Sequence, residues 1–435
     1  MESGNCIKKF GFYAIPLILI QFSGCVSFPK YNDYLACDFS STLVKPPTNN
    51  DDSGKAGNQI LSAPICTGDN YSNFKNSDAL VISGGAADGA FGAGFISELV
   101  MQNKMAVKDN DALPNPCVIT GVSTGALMSP FVYLATSLDP EIKSKDYALA
   151  LQKLYPKLDD YNLLSPKNKL LQVLRLKDKK SLYSAQAIKQ EIELQLTNQL
   201  IMDVQKEHLR TGRKIYIGTT NINTGNFEII DLTRLFEKAN PQPTIIDEHN
   251  KQCAFAVIRG STSIPVVFEP VAVKDKEEFK LLVDGGIRYP LFLHKQIINR
   301  LKSVGESREK NYKNIRVFTV INHLDQQLKK DPDSNPAKGE VSLNEYLGNF
   351  AEITRNQLYL DSVNTLKQLS DQEGLQAFWV DATDAESQKC AAEKPFGKQF
   401  HKNYQECLVG AGAGSANKAL PWGFVPKLRS ELLNN

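Results

Sequence analysis

The chain has 435 residues, 42% hydrophobic and 23% charged, with 50 Lys and Arg against 48 Asp and Glu. That apolar content is enough for one large or two medium domains and excludes a fibre or a disordered chain. The net charge of +2 comes from interspersed charges; runs such as 177–180 and 274–280 read as solvated loops or helix faces, and nucleic-acid binding has no support.

At the N-terminus, Lys8 and Lys9 precede the apolar stretch FGFYAIPLILIQFSG, interrupted by Pro16. It is too short for a spanning helix and reads as a secretory signal over residues 1–24. Its end, Phe22-Ser23-Gly24-Cys25, resembles the lipobox of bacterial lipoproteins, although Phe22 stands where that motif usually has Leu. The resemblance implies that Cys25 is acylated, becomes the mature N-terminus and tethers the chain to a membrane. Val26 is unlike the Asp that commonly retains lipoproteins at the inner membrane, so the expected location is the outer membrane, with a periplasmic or secreted chain as the alternative. Residues 25–77, rich in Ser, Pro, Asn and Asp, are expected to form a loose spacer.

At Ala79 the texture changes. ALVISGG is a short apolar run ending in glycines, and GAFGAGFISELVMQ continues with helical spacing of Phe91, Phe95, Leu99 and Met101. PCVITGVS followed by TGALMSPFVYLATSL repeats the pattern of strand, turn and buried helix, which implies a parallel sheet with helices on its faces. Helices are expected at about 141–156 and 183–209, and KIYIGTTNINTGNFEIIDL predicts a hairpin turning at 223–226. CAFAVIRGSTSIPVVFEPV reads as a helix that breaks at Gly260 and passes through Pro265 into a strand. KLLVDGG and IRVFTVIN are further strands, VSLNEYLGNFAEITRNQLYLDSVNTLKQL a long helix, and LQAFWVD the expected final strand. Residues 78–385 thus predict one α/β domain, and 386–435, with GAGAGSANK inside, an irregular tail.

Eight cysteines less Cys6 and Cys25 leave Cys37, Cys66, Cys117, Cys253, Cys390 and Cys407, in a chain whose export permits disulfides. Six cysteines allow fifteen pairings. Cys117 and Cys253 lie in apolar segments and read as buried thiols, leaving Cys37 with Cys66 and Cys390 with Cys407 as expected staples. There is no C-x-x-C and no H-E-x-x-H, so no metal is assigned and no cofactor is expected.

Ester cleavage needs a nucleophile, a base and donors aimed at a developing oxyanion. Gly121-Val122-Ser123-Thr124-Gly125 places Ser123 where a strand turns sharply into a helix, with Gly121 and Gly125 small enough for that turn and the helix N-terminus adding free N–H groups. Ser83 to Gly94, SGGAADGAFGAG, is a second glycine loop at a strand-to-helix junction. It lacks a Walker lysine, which favours an oxyanion site over a nucleotide phosphate cradle. Asp284-Gly285-Gly286 sets a carboxylate at the end of KLLVDGG.

Each motif is weak alone, but the three in this order resemble the patatin-like phospholipase family over roughly residues 78–325; GAFGAGF, GTTNINTGNFEIIDL and STSIPVVFEPV are also similar to its bacterial branch. The resemblance implies a three-layer α/β/α fold with a mostly parallel central sheet and a membrane lipid or phospholipid as substrate. It further implies Ser123 as nucleophile, Asp284 as its proton acceptor, and an oxyanion site built from Gly84, Gly85, Ala86 and Gly89. Two positions depart from the pattern. Ala86 stands where a third glycine is usual, and Asp88 where Lys or Arg is common, which removes a cation that would favour anionic lipid. Two alternatives stay open: a Ser-Asp-His esterase using His294 or His323, and a non-catalytic lipoprotein that binds acyl lipid or a protein partner.

Overall fold

The computed structural model describes residues 34–39, 42–44, 66, 76–107, 110, 112–158, 185–239, 246–265, 267–306, 314–323, 343–394 and 400–424. The signal segment, Cys25 and most of the proposed spacer lie outside the described residues.

The first elements are β1 (Leu35–Cys37), β2 (Asn76–Ile82), α1 (Gly89–Met101), β3 (Pro116–Val122) and α2 (Thr124–Ala135). Both strand-to-helix units predicted from the apolar runs are present. After α3 (Ser144–Leu154), the stretch expected as one helix is two, α4 (Ala185–Gln195) and α5 (Asn198–Thr211), because the Thr197 hydroxyl accepts the Leu200 N–H and starts a new helix. The hairpin β4 (Lys214–Asn221) and β5 (Asn226–Asp231) follows, then α6 (Leu232–Ala239) and α7 (Glu248–Thr262). Gly260 does not break α7. It lets the helix lie against the next strands, since a Cβ there would stand 2.7 Å from the Leu282 Cβ.

β6 (Val271–Asp275) and β7 (Glu278–Asp284) form an antiparallel pair, followed by α8 (Lys295–Glu306), β8 (Asn314–Ile321), the long α9 (Leu343–Glu373) and β9 (Gln376–Asp381). Among the described residues the sheet order is β1-β6-β7-β4-β3-β2-β8-β9-β10, with β5 against β4 and β10 at Gly423–Phe424. Strands β4, β3, β2, β8 and β9 run parallel to their neighbours in that series, whereas β7 and β10 are antiparallel.

Alternation along the central strands assigns side chains to two cores. Leu80, Ile82, Ile119 and Ile217 face a core shared with α1, α2 and α7, while Ala79, Val81, Val118 and Tyr216 face one shared with α8 and α9. Helices on both faces of a mostly parallel sheet make the three-layer α/β/α fold expected from the sequence. No described helix is long and apolar enough to cross a membrane.

Three expectations are corrected. Leu35–Cys37, assigned to the spacer, is an edge strand parallel to β6. The described part of the tail after 385 is not irregular: it holds α10 (Ala385–Cys390) and α11 (Lys402–Ala416). Gly412 of α11 serves helix packing against α1: a Cβ on it would stand 2.8 Å from the Phe95 nitrogen, and one on Gly94 of α1 2.8 Å from the Val409 carbonyl carbon. The cysteines pair as Cys37–Cys253, Cys66–Cys117 and Cys390–Cys407. Only the last matches the expected pairs; Cys117 and Cys253 are bonded rather than free, because burial on β3 and α7 brings them to Cys66 and to the β1 edge.

Candidate active site

β3 is buried along its whole length, and the chain leaves it through Ser123. Ser123 has φ 53° and ψ −120°, a conformation that a residue with a side chain holds only when its surroundings enforce it. Its N–H donates to Ser261 Oγ at 2.9 Å, and that hydroxyl donates to the Gly218 carbonyl at 2.7 Å. Its carbonyl accepts the Ala126 N–H at 2.9 Å and opens α2. The crossing is too close for side chains: a Cβ on Gly125 would stand 2.8 Å from the Ser83 carbonyl oxygen, and one on Gly121 2.6 Å from the Gly125 carbonyl carbon.

Asp284 ends β7 opposite Thr219, and its N–H donates to the Ser263 carbonyl at 2.9 Å. The carboxylate lies close enough to the Ser123 hydroxyl for the two to interact and accepts the Gly286 N–H at 2.7 Å. Burial pushes its pKa up to about 6, against the opposing pull of Ser123 and Gly286. Gly285 lies directly on the Gly218 backbone, where a Cβ would stand 2.9 Å from its carbonyl carbon. Nucleophile, carboxylate and both serines of the Ser261-Thr262-Ser263 turn are therefore one bonded unit.

The glycine loop passes in front of this pair, and a Cβ on Gly84 would lie 3.2 Å from that of Ser123. Asn322 holds the loop: its N–H donates to Ser83 Oγ at 2.8 Å, its Nδ2 to the Ser83 carbonyl at 2.9 Å, and its Oδ1 accepts the Gly92 N–H at 3.0 Å. Gly85 has φ 145°, open only to glycine. Ala86 has φ 50°, so the methyl does not prevent the left-handed turn, at roughly 1 kcal/mol. No described backbone acceptor takes the Gly85 or Ala86 N–H, and both precede the N-terminus of α1. Unpaired N–H groups beside a nucleophile suit a developing oxyanion. Gly89 starts α1 against Tyr155, whose hydroxyl a Cβ there would approach to 2.6 Å.

Asp88 is buried, accepts the Tyr404 hydroxyl at 2.6 Å and has Lys394 Nζ 3.8 Å away, so it ties the loop to the C-terminal elements. Neither histidine is among the groups that bond Asp284. His294 accepts the Gln296 N–H at the start of α8, and His323 stacks on Tyr359 with centroids 4.4 Å apart while Nε2 pairs with Asn356.

Ser123 and Ala86 line an apolar cavity of about 580 Å³, open mouth included, together with Leu127, Leu154, Leu158, Ile192, Phe268 and Phe400. Among the described residues no group of His, Cys, Asp or Glu is arranged to hold a metal ion. Ser261, Ser263 and Asn322 escaped identification from sequence as site residues, although the first two lie in the STSIPVV stretch already marked as family-like.

The family model for patatin-like phospholipase matches residues 80–294. No curated protein matches the chain. Among solved structures, a crystal structure of VipD from Legionella pneumophila is similar over 79% of this chain and 67% of that one, at 11% identity and a TM-score of 0.30.

Proposed function

We propose that the chain, whose residues 80–294 match the family model for patatin-like phospholipase, is a lipid acyl hydrolase in which Ser123 and Asp284 form the catalytic dyad. The observation that carries this reading is a buried carboxylate beside the hydroxyl of Ser123, a residue in a strained strand-to-helix turn that lines an apolar cavity. Such a cavity suits an acyl chain, with the ester at Ser123.

Ser123 Oγ adds to the acyl carbonyl carbon as its proton passes to Asp284, and the carbonyl oxygen becomes an oxyanion facing the Gly85 and Ala86 N–H groups. The tetrahedral species expels the alcohol, which takes the proton from Asp284 and leaves an acyl ester on Ser123. Water then adds to that ester, giving its proton to Asp284; collapse returns the proton to Ser123 and frees the fatty acid. Asp284 accepts only when ionised, and with a pKa of about 6 it is ionised at neutral pH.

The test is fluorophosphonate labelling together with lipid product analysis. Wild type is labelled and releases fatty acid, Ser123→Ala does neither, and Asp284→Asn loses turnover. Wild type that is neither labelled nor active on lipid vesicles would overturn the reading in favour of a non-catalytic acyl-binding protein. We also propose acylation of Cys25 as the anchor that keeps this site at a lipid surface; mass spectrometry of the mature N-terminus showing unmodified Cys25 would remove it.

A further inference from the structure

Tyr359 stands on α9, beyond the residues that the family model covers. It is 5% exposed, and its hydroxyl makes no hydrogen bond of ordinary geometry among the described residues, although Ser83 lies close enough to polarise it. A buried hydroxyl left unpaired lowers stability, so such a group calls for a partner that binds from outside.

The hydroxyl is directed at the glycine loop. A Cβ on Gly84 would be 3.6 Å from Tyr359 Oη and 3.2 Å from Ser123 Cβ, so phenol and nucleophile flank one point above Gly84. The Asp284 charge also acts on the phenol. The ring is held in place by His323, stacked 16° from parallel, which is itself paired to Asn356 one turn earlier on α9. Ser83 Oγ donates to the Gly84 carbonyl at 2.8 Å and accepts the Asn322 N–H at 2.8 Å, and it makes no hydrogen bond of ordinary geometry with the phenol.

We propose that Tyr359 is a catalytic residue whose phenol donates a hydrogen bond to the ester carbonyl oxygen, as a third oxyanion donor beside the Gly85 and Ala86 N–H groups. The inference rests on the acyl hydrolase reading. Burial, reinforced by Asp88 and Asp284, raises the phenol pKa, so the group stays protonated and acts as a donor rather than a base. No proton leaves it: the bond shortens as the oxyanion forms and lengthens as the carbonyl returns.

The experiment compares wild type with Tyr359→Phe on a soluble acyl ester. Loss of one oxyanion donor lowers kcat by roughly 100-fold. KM is expected to stay within about twofold, and Tm not to fall, because no protein hydrogen bond is broken. An alkyl boronic acid, which forms an anionic tetrahedral adduct on the serine, binds more weakly to the variant by a similar factor. A Tyr359→Phe protein with wild-type kcat, or one in which kcat and Tm fall together while boronate affinity is unchanged, overturns the proposal. Should Tyr359→Phe fail to fold, difluorotyrosine at 359 keeps the ring and acidifies the phenol. A falling limb then enters the alkaline side of the kcat profile, and an unchanged profile overturns the role. Inactive, unlabelled wild type would sink the hydrolase reading itself, whereas active wild type with an equally active variant sinks only the part assigned to Tyr359.

Discussion

The backbone N–H of Ser123 is held by the hydroxyl of Ser261, 138 residues later in the chain, at 2.9 Å. The nucleophile's unusual backbone angles thus depend on the end of α7. Ser261→Ala removes this acceptor and the donor to Gly218, and is expected to destabilise the fold by about 1–3 kcal/mol. A misplaced nucleophile should also lower kcat, roughly tenfold, with Ser261→Thr recovering part of it. Urea unfolding and ester kinetics measure the two effects; an alanine variant as stable and as fast as wild type would show that the elbow holds itself.

Activity should follow the ionisation of Asp284. With its pKa raised to about 6, kcat/KM is expected to fall about tenfold for each pH unit below that value and to level off above it. Rates on a soluble ester from acid to neutral pH test this. A profile already flat down to pH 4 would mean that the carboxylate is not the base.

The same carboxylate weakens the fold when charged. The native state keeps the proton until about pH 6 and the unfolded chain releases it near 3.8, so between these values the folded state binds more protons and stability drops as pH rises. The deficit is fully present above about pH 6 and amounts to about 3 kcal/mol. Asp284→Asn keeps an acceptor for the Gly286 N–H and removes the charge. It should therefore raise Tm at pH 8 and leave it nearly unchanged at pH 4; equal shifts at both would refute the assignment.

The Cys37–Cys253 bond closes 216 residues of sequence separation and fastens β1 to α7, the helix that ends at Ser261. Cys253→Ser is expected to lose about 2–5 kcal/mol of stability. Denaturant titration with and without reductant checks this: reduced wild type should approach the variant, and a variant equal to oxidised wild type would count against the tie.

The central strand-to-helix units were readable because ALVISGG and PCVITGVS are continuous apolar runs, as strands buried on both faces must be. Ser123 and Asp284 were readable because their chemistry sits in contiguous motifs. Ser261, Asn322 and Tyr359 were not, since each acts on a residue more than a hundred positions away and no local pattern marks it. The tail was misread for another reason: GAGAG resembles a loop until α1 stands beside it with glycines of its own. The Cys37–Cys253 pairing escaped likewise, because it depends on β1 joining the sheet edge next to α7.

The bond from Tyr404 to Asp88 bears on where this molecule can be cut. An expression fragment bounded by residues 80–294 would carry the whole family match yet leave Asp88 interred without its donor, Gly94 without the helix it seats against, and the loop before α1 without its brace. The smallest autonomous piece of this protein is thus longer than its recognisable signature, and a truncation series that restores refolding only once α11 is included would trace that outline directly.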